Sequence, residues 1–309
     1  MTFHEQIAAN RRNSFLLVAA IAALTVVIGA VLGQQYGNGP TGVGIAGALI
    51  VIMSLVAYFA GGRIMLGVSG ARLLQKHMDP VLFNVVEEVA VAAGIPPPAV
   101  YVIEDTALNA FATGRDPLHA AVAITRGLRQ KLSRDQLQGV IAHEISHIRN
   151  RDTLYTMMVG VMVGVVAMLC DSMLRRTFWG PPGRRRLELK GRSYSGGGQA
   201  GGGAQALFVI LGLVLGILAP LFAKLLQMAV SREREYLADA SGAALTRYPE
   251  GLASALEVIA GDKEILEGAN RATQHMYIVN PIHEFEERAS ALMATHPPIQ
   301  ERIRRLRSM

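Results

Sequence analysis

Cysteine occurs once in the 309 residues, at Cys170 inside an apolar run. The chain therefore holds no internal disulfide, and a metal site in it draws on histidine and carboxylate rather than on thiolates. Aromatic residues make up only 6% of the sequence, and no basic surface interleaved with aromatics is evident, which argues against a nucleic-acid partner. Charge is also scarce, at 17% of residues. What is abundant is apolar: 51% of residues, with a positive mean hydropathy. That balance is too greasy for an ordinary soluble domain and predicts membrane-spanning segments.

The net charge of +6 is local. Between Arg175 and Arg192 stand seven basic residues and one acid, leaving 23 basic against 23 acidic residues elsewhere. A basic segment between apolar runs suits anionic lipid headgroups. Four such runs are present, at about 14–33, 43–61, 154–173 and 206–230. The first two are joined by an uncharged turn, Gln34 to Thr41, and predict a transmembrane hairpin. A signal peptide competes for the first run, but the run is long and no clear small-x-small cleavage site follows. Arg11 and Arg12 at one end of the hairpin, and Arg63, Arg72 and Lys76 at the other, place both ends in the cytoplasm by the positive-inside rule. Runs three and four conflict with that rule if both cross, because the basic segment between them would then lie outside. Either they dip into the membrane or pack on the domain, or the first hairpin dominates orientation.

Residues 78–152 look like part of a soluble α+β domain. Val81 to Ala93 is amphipathic and helical, Pro96-Pro97-Pro98 breaks it, and Ala99 to Ile103 and Ala120 to Ile124 are strand-like. Next comes His143-Glu144-Ile145-Ser146-His147. Ser133 followed by Gln136 predicts a capping box, Asp135 suits the first turn, and Leu137, Val140, Ile141 and Ile148 recur on one face, so a helix is expected over about 134–150. On a helix the two histidines project from one side and can grip one Zn²⁺, and Glu144 beside them can deprotonate a water. Two solvated histidines on an amphipathic helix are the bland alternative. A catalytic zinc needs a third ligand. Past the fourth run, Glu235 and Asp239 are four apart on one helical face, with Glu233 competing as the ligand; on spacing alone they also read as the solvated start of a helix.

These features together resemble the HtpX-type membrane zinc metalloproteases, relatives of the CAAX prenyl proteases. The resemblance covers essentially the whole chain. It rests on an early hairpin, Asn109-Ala110-Phe111-Ala112, the His143–His147 pentapeptide, two apolar runs, Arg234-Glu235-Tyr236-x-Ala238-Asp239 and Thr295-His296-Pro297-Pro298, in that order. It implies that His143, His147 and Glu235 bind one Zn²⁺ per chain, that Glu144 is the catalytic base, and that Asp239 hydrogen-bonds a ligand histidine. It further implies that Asn109, Ala110, Phe111 and Ala112 form an edge strand that pairs with substrate, and that His296 helps stabilise the oxyanion. Read bare, Phe111 is core, Asn109 a turn residue and His296 a structural or solvated loop histidine.

The expected fold is an α-helical membrane protein with a mainly α, zincin-like α+β protease domain and a small β-sheet beside the active-site helix. The expected organisation is a hairpin at 1–62, a first part of the protease domain at 63–152, two apolar helices with a basic Gly-rich loop at 153–230, and a second part at 231–309. The expected activity is zinc-dependent hydrolysis of peptide bonds in misfolded or damaged membrane proteins, with unfolded or misassembled membrane proteins and the lipid bilayer as partners. The expected location is a bacterial cytoplasmic (inner) membrane, with the active site facing the cytoplasm. Three rivals stand beside this reading, one of them a transporter, which would carry polar or ionisable residues within its spans where these runs hold almost none. A non-catalytic membrane metal-binding scaffold has no need of Glu144. An intramembrane site-2-type protease would bury Arg134, Asp135, Gln136 and Arg149 in hydrocarbon at high cost.

Overall fold

A computed structural model of the chain describes residues 3–35, 38–179, 232–262 and 297–309, with the single positions 214, 216, 218, 219, 221, 264, 277 and 278. The chain forms two compact units. The first comprises Met1–Phe15, Leu55–Met158 and Gln227–Met309, and the second Leu16–Ser54 and Val159–Leu226. Most of the fourth apolar run, the glycine run at 196–203 and the basic residues from Arg184 to Arg192 lie outside the described residues.

The second unit is helical. Helices α1 (Phe3–Gln35) and α2 (Gly39–Val68) supply it with a hairpin, and α6 (Asp152–Trp179) supplies a further segment. Among the described residues, three stretches are long and apolar enough to cross a membrane: Phe15–Gln34, Gly39–Val68 and Asp152–Asp171. Twenty helical residues rise about 30 Å, the thickness of a bilayer core. The chain is thus an α-helical membrane protein. Without a hydrophobic drive between helices in lipid, close packing holds the hairpin. Gly29 and Gly33 of α1 meet Gly42 and Ala46 of α2 so closely that a Cβ added to Gly33 would sit 2.7 Å from the Gly42 Cα. Helix α2 runs past the end of the second apolar run, through Gly61, Gly62 and Arg63 to Val68.

The first unit is an α+β domain. Its sheet contains β1 (Arg72–Leu73), β2 (Ala99–Ile103), β3 (Ala110–Gly114) and β4 (Ala120–Thr125) in the order β1-β2-β4-β3. β2 and β4 are parallel; β1 and β3 pair antiparallel to their neighbours. Helix α3 (Pro80–Ala93) starts at Asp79, whose carboxylate accepts from Leu82 N at 3.0 Å, and ends at Gly94 in the left-handed region. A short α4 (Arg126–Lys131) follows β4. Helix α5 (Arg134–Asn150) packs on α3, on β3 and β4, and on α8 (Pro249–Ala260), against which α9 (Ile299–Arg307) lies. Residues 232–246 form α7. The apolar face read from the sequence, Leu137, Val140, Ile141 and Ile148, is buried in the core between these elements.

Two stability predictions follow from this packing. Gly42→Leu forces apart helices in backbone contact and should cost about 1–3 kcal/mol, read as a lower midpoint of thermal unfolding in detergent. Asp79 both caps α3 and binds Arg129 of α4 at 2.6 Å. Burial pushes its carboxyl up, but Arg129 and the Leu82 N–H outweigh this and hold it below the usual carboxylate range. A carboxyl lowered by folding stabilises fully above its unfolded value and loses the effect as pH falls through the folded one. Asp79→Ala should therefore cost about 1–2 kcal/mol at neutral pH, and the gap in thermal midpoint should narrow in acid.

Candidate active site

The capping box at Ser133 and Gln136 is complete, so α5 begins where its first orphan N–H groups are satisfied. Two turns later His143 and Glu144 are buried, and His147 is nearly so. Helix α7 brings Glu235 to them. Gly242 permits that approach, since a Cβ there would sit 3.0 Å from the His143 backbone nitrogen. The two imidazole Nε2 atoms are 3.2 Å apart, His143 Nε2 is 3.6 Å from Glu235 Oε2, and His147 Nε2 is 3.5 Å from Glu235 Oε1. A tetrahedral ion with bonds of roughly 2.0–2.1 Å spaces its ligand atoms roughly 3.3 Å apart. The cluster fits a metal ion on distance as well as on donor type. Glu233, the competing acid, is exposed.

Each imidazole is aimed from behind. His143 Nδ1 donates to Asp239 Oδ1 at 2.9 Å, and His147 Nδ1 donates to Asp152 Oδ2 at 3.3 Å. Asp152 reaches back because Arg151 turns the chain in the left-handed region, with φ 62°, between α5 and α6. Asp239 is held in turn by Arg302 of α9, whose Nε and Nη2 donate to its two oxygens at 2.8 Å each. Arg302 also donates to the Ile278 carbonyl at 2.8 Å. Among the described residues, four carboxylates (Glu144, Asp152, Glu235, Asp239) and two guanidinium groups (Arg234, Arg302) are buried here. Two negative charges are left over, the complement of a divalent cation.

The protonation equilibria express that excess. Burial pulls the His143 imidazole down, but Asp239 and Glu235 outweigh it and hold it up at about 9. Burial pushes the Glu144 carboxyl above its ordinary value; the neighbouring histidines and the Ala112 N–H oppose this only in part. Burial likewise pushes Asp239 up, and Arg302 with His143 more than offsets it, so this carboxylate stays ionised well below the usual range.

Strand β3 ends the described sheet, but its five residues are buried rather than open. Thr125 N donates to the Asn109 carbonyl, so Asn109 and Phe111 bond toward β4 while Ala110 and Ala112 turn their backbone groups outward. The Ala110 carbonyl accepts from Ile278 N at 2.9 Å, and the Ala112 N–H is bonded to Glu144. Phe111 points the other way, fully buried with its ring edge-on to Tyr277 at 5.3 Å. Asn109 is buried and folds its Oδ1 onto Ala110 N at 3.0 Å. The structure therefore brings His143, Glu144, His147, Glu235, Asp239 and the outer edge of Ala112 together and leaves the Phe111 side chain out. His296 lies outside the described residues.

Comparison with known proteins decides the family. A profile of Peptidase family M48 matches residues 76–309. The chain belongs to peptidase family M48. Similar M48 proteins include Protease HtpX homologs of Thermoanaerobacter pseudethanolicus, 43% identical over 100% of this chain and 98% of the relative, and of Listeria monocytogenes serotype 4a, 40% identical over 99% of each. The crystal structure of S. mikatae Ste24p aligns with a TM-score of 0.53 and 20% identity over 98% of this chain, which spans 66% of that chain's length; this likeness is one of fold. M48 membership together with the three candidate spans makes the chain an integral membrane metalloendopeptidase.

Sequence reading missed Asp152, Arg234 and Arg302. Asp152 opens an apolar run five residues after His147, where an acid also suits the helix dipole. Arg302 had a clearer signal: it falls on the apolar stripe of Ile299, Ile303 and Leu306, where an arginine needs a buried partner. Replacing it strands Asp239. Arg302→Met should cost about 3–5 kcal/mol of stability and weaken metal binding roughly 10–100-fold. Competition with a chromophoric chelator measures the second effect.

Proposed function

We propose that this M48 peptidase hydrolyses peptide bonds in misfolded or damaged membrane proteins of the bacterial cytoplasmic membrane, with Zn²⁺ as its metal and its site facing the cytoplasm. The observation that carries the chemistry is Glu144, a buried carboxylate next to the His143–His147–Glu235 cluster and hydrogen-bonded to the Ala112 N–H. His143, His147 and Glu235 hold the ion, and zinc rather than another divalent cation suits a two-imidazole, one-carboxylate set. Such an ion, when bound, supplies Lewis-acid activation of water and of the scissile carbonyl. Asp239 and Asp152 accept from the imidazole Nδ1 atoms, which fixes the ring orientation and leaves each Nε2 facing Glu235. Glu144 accepts the proton of the attacking water, and its raised proton affinity suits a base that later gives the proton to the leaving amine.

An extended substrate that pairs with the outer edge of β3 at Ala110 and Ala112 displaces the Ile278 N–H from the Ala110 carbonyl and Glu144 from the Ala112 N–H, with Asn109 and Phe111 shaping the strand from within. His296, one residue before the buried Pro297, is assigned the oxyanion contact by the family resemblance. The protease domain is assembled from 63–152 and 231–309, which the two apolar runs of 153–230 separate in sequence. The arginines flanking the first hairpin support the cytoplasmic orientation. The scaffold and intramembrane readings fare worse. A scaffold has no use for a buried Glu144, and α5 is not among the helices apolar enough to span.

The test is cleavage of casein by detergent-purified protein, wild type against Glu144→Gln, with zinc content measured on both. Retained zinc with cleavage reduced by orders of magnitude is the expected result. Zinc-replete wild type that cleaves neither casein nor an unfolded membrane protein reduces the claim to metal binding.

A further inference from the structure

We propose that the turn between β3 and β4, residues 115–119, is a lipid-interface anchor that inserts Leu118 into the headgroup–acyl boundary beside Tyr58 and Phe59. From Gly39 to Phe59 is twenty helical steps, about 30 Å, which matches the bilayer core. Tyr58 and Phe59 are exposed, pack edge to face at 4.9 Å, and stand where aromatic side chains settle at the edge of the hydrocarbon. Arg63, one turn further on, is exposed on the headgroup side.

The turn is fastened at this level. The Arg115 guanidinium lies 5.6 Å from the Tyr58 ring centre and 5.7 Å from that of Phe59. Thr153, in the first turn of α6, donates to the Gly114 carbonyl at 2.8 Å. Both ends of contact thus belong to candidate membrane helices. The turn itself is rigid: Asp116 accepts from Leu118 N at 2.9 Å, from His119 N at 3.0 Å and from the His119 ring. It projects Leu118, 79% exposed, the most exposed large apolar side chain among the described residues. A lone exposed leucine needs no explanation on a soluble surface. One held out by a capped turn, beside an aromatic pair and two arginines at the membrane level, has the chemistry of an interfacial anchor.

A consequence for the substrate rests on the function proposed above. Ala112, whose N–H meets Glu144, is three strand residues from Arg115, or about 10 Å. The bond cleaved then lies within a headgroup layer of the lipid, and preferred substrates are juxtamembrane segments.

The test places a single tryptophan in the turn: Leu118→Trp in a Trp179→Phe background, reconstituted in phosphatidylcholine vesicles. Acyl-brominated lipid should quench its emission several-fold, while aqueous iodide should quench it far less than it quenches N-acetyltryptophanamide. Emission indifferent to brominated lipid and fully open to iodide overturns the anchor. If the tryptophan variant does not fold, Leu118→Cys in a Cys170→Ala background, labelled with a polarity-sensitive dye, gives the same reading: a blue shift on reconstitution supports insertion, and no shift overturns it. Neither reading needs catalysis, so each stands even if the protease reading fails. In an active protein, Leu118→Asp should lower cleavage of a membrane-tethered peptide several-fold and leave soluble casein unchanged. An equal effect on both overturns the juxtamembrane preference.

Discussion

The site depends on charge compensation in a dry interior. Burying one ionised carboxylate without a partner is expensive, and four are buried here within reach of two imidazoles. Arg302 neutralises Asp239, Arg234 lies close enough to feel both Asp152 and Glu235, and the remaining excess suits a divalent ion. Every other feature of the site serves this balance. The imidazoles are aimed by carboxylates, and the carboxylates are held by guanidinium groups or by helix starts. Glu144 sits close enough to His143, His147 and Glu235 to share their field.

The balance draws on segments far apart in the chain. Helix α5 contributes His143, Glu144 and His147, α7 Glu235 and Asp239, α6 Asp152, and α9 Arg302. A single side chain, Arg302, bonds both Asp239 and the Ile278 carbonyl, and Ile278 in turn bonds β3 at Ala110. Helix α9, His143 and the strand beside Glu144 are therefore one hydrogen-bonded assembly. A change at residue 302 is felt at His143 and at the strand together.

The same economy appears at the junction of α5 and α6. Arg151 accepts a left-handed backbone so that the chain can reverse, at a cost of order 1 kcal/mol for a non-glycine residue. The reversal sets Asp152, the first residue of an apolar helix, against His147. The Gly114 carbonyl, bound by Thr153, links that helix to the end of β3 as well.

What could be read from sequence follows from the range of the forces involved. The extent of α5, the spacing of His143 and His147, the strands at 99–103 and 120–124 and the apolar runs are set by local periodicity, capping and hydropathy, and the amino-acid order by itself determined them. Selecting Glu235 over Glu233 needed only the helical phase of α7, but recognising that phase as inward needed the packing of Gly242 on α5. Arg302, Asp152 and Ile278 were decided by tertiary structure alone. Their partners are separated by tens to hundreds of residues or by a backbone reversal, and no local pattern records which buried charge a distant side chain will meet. Exposure of β3 was decided the same way. A strand that ends a sheet looks open in sequence, and only folding shows that Ile278 and Glu144 already hold part of its edge.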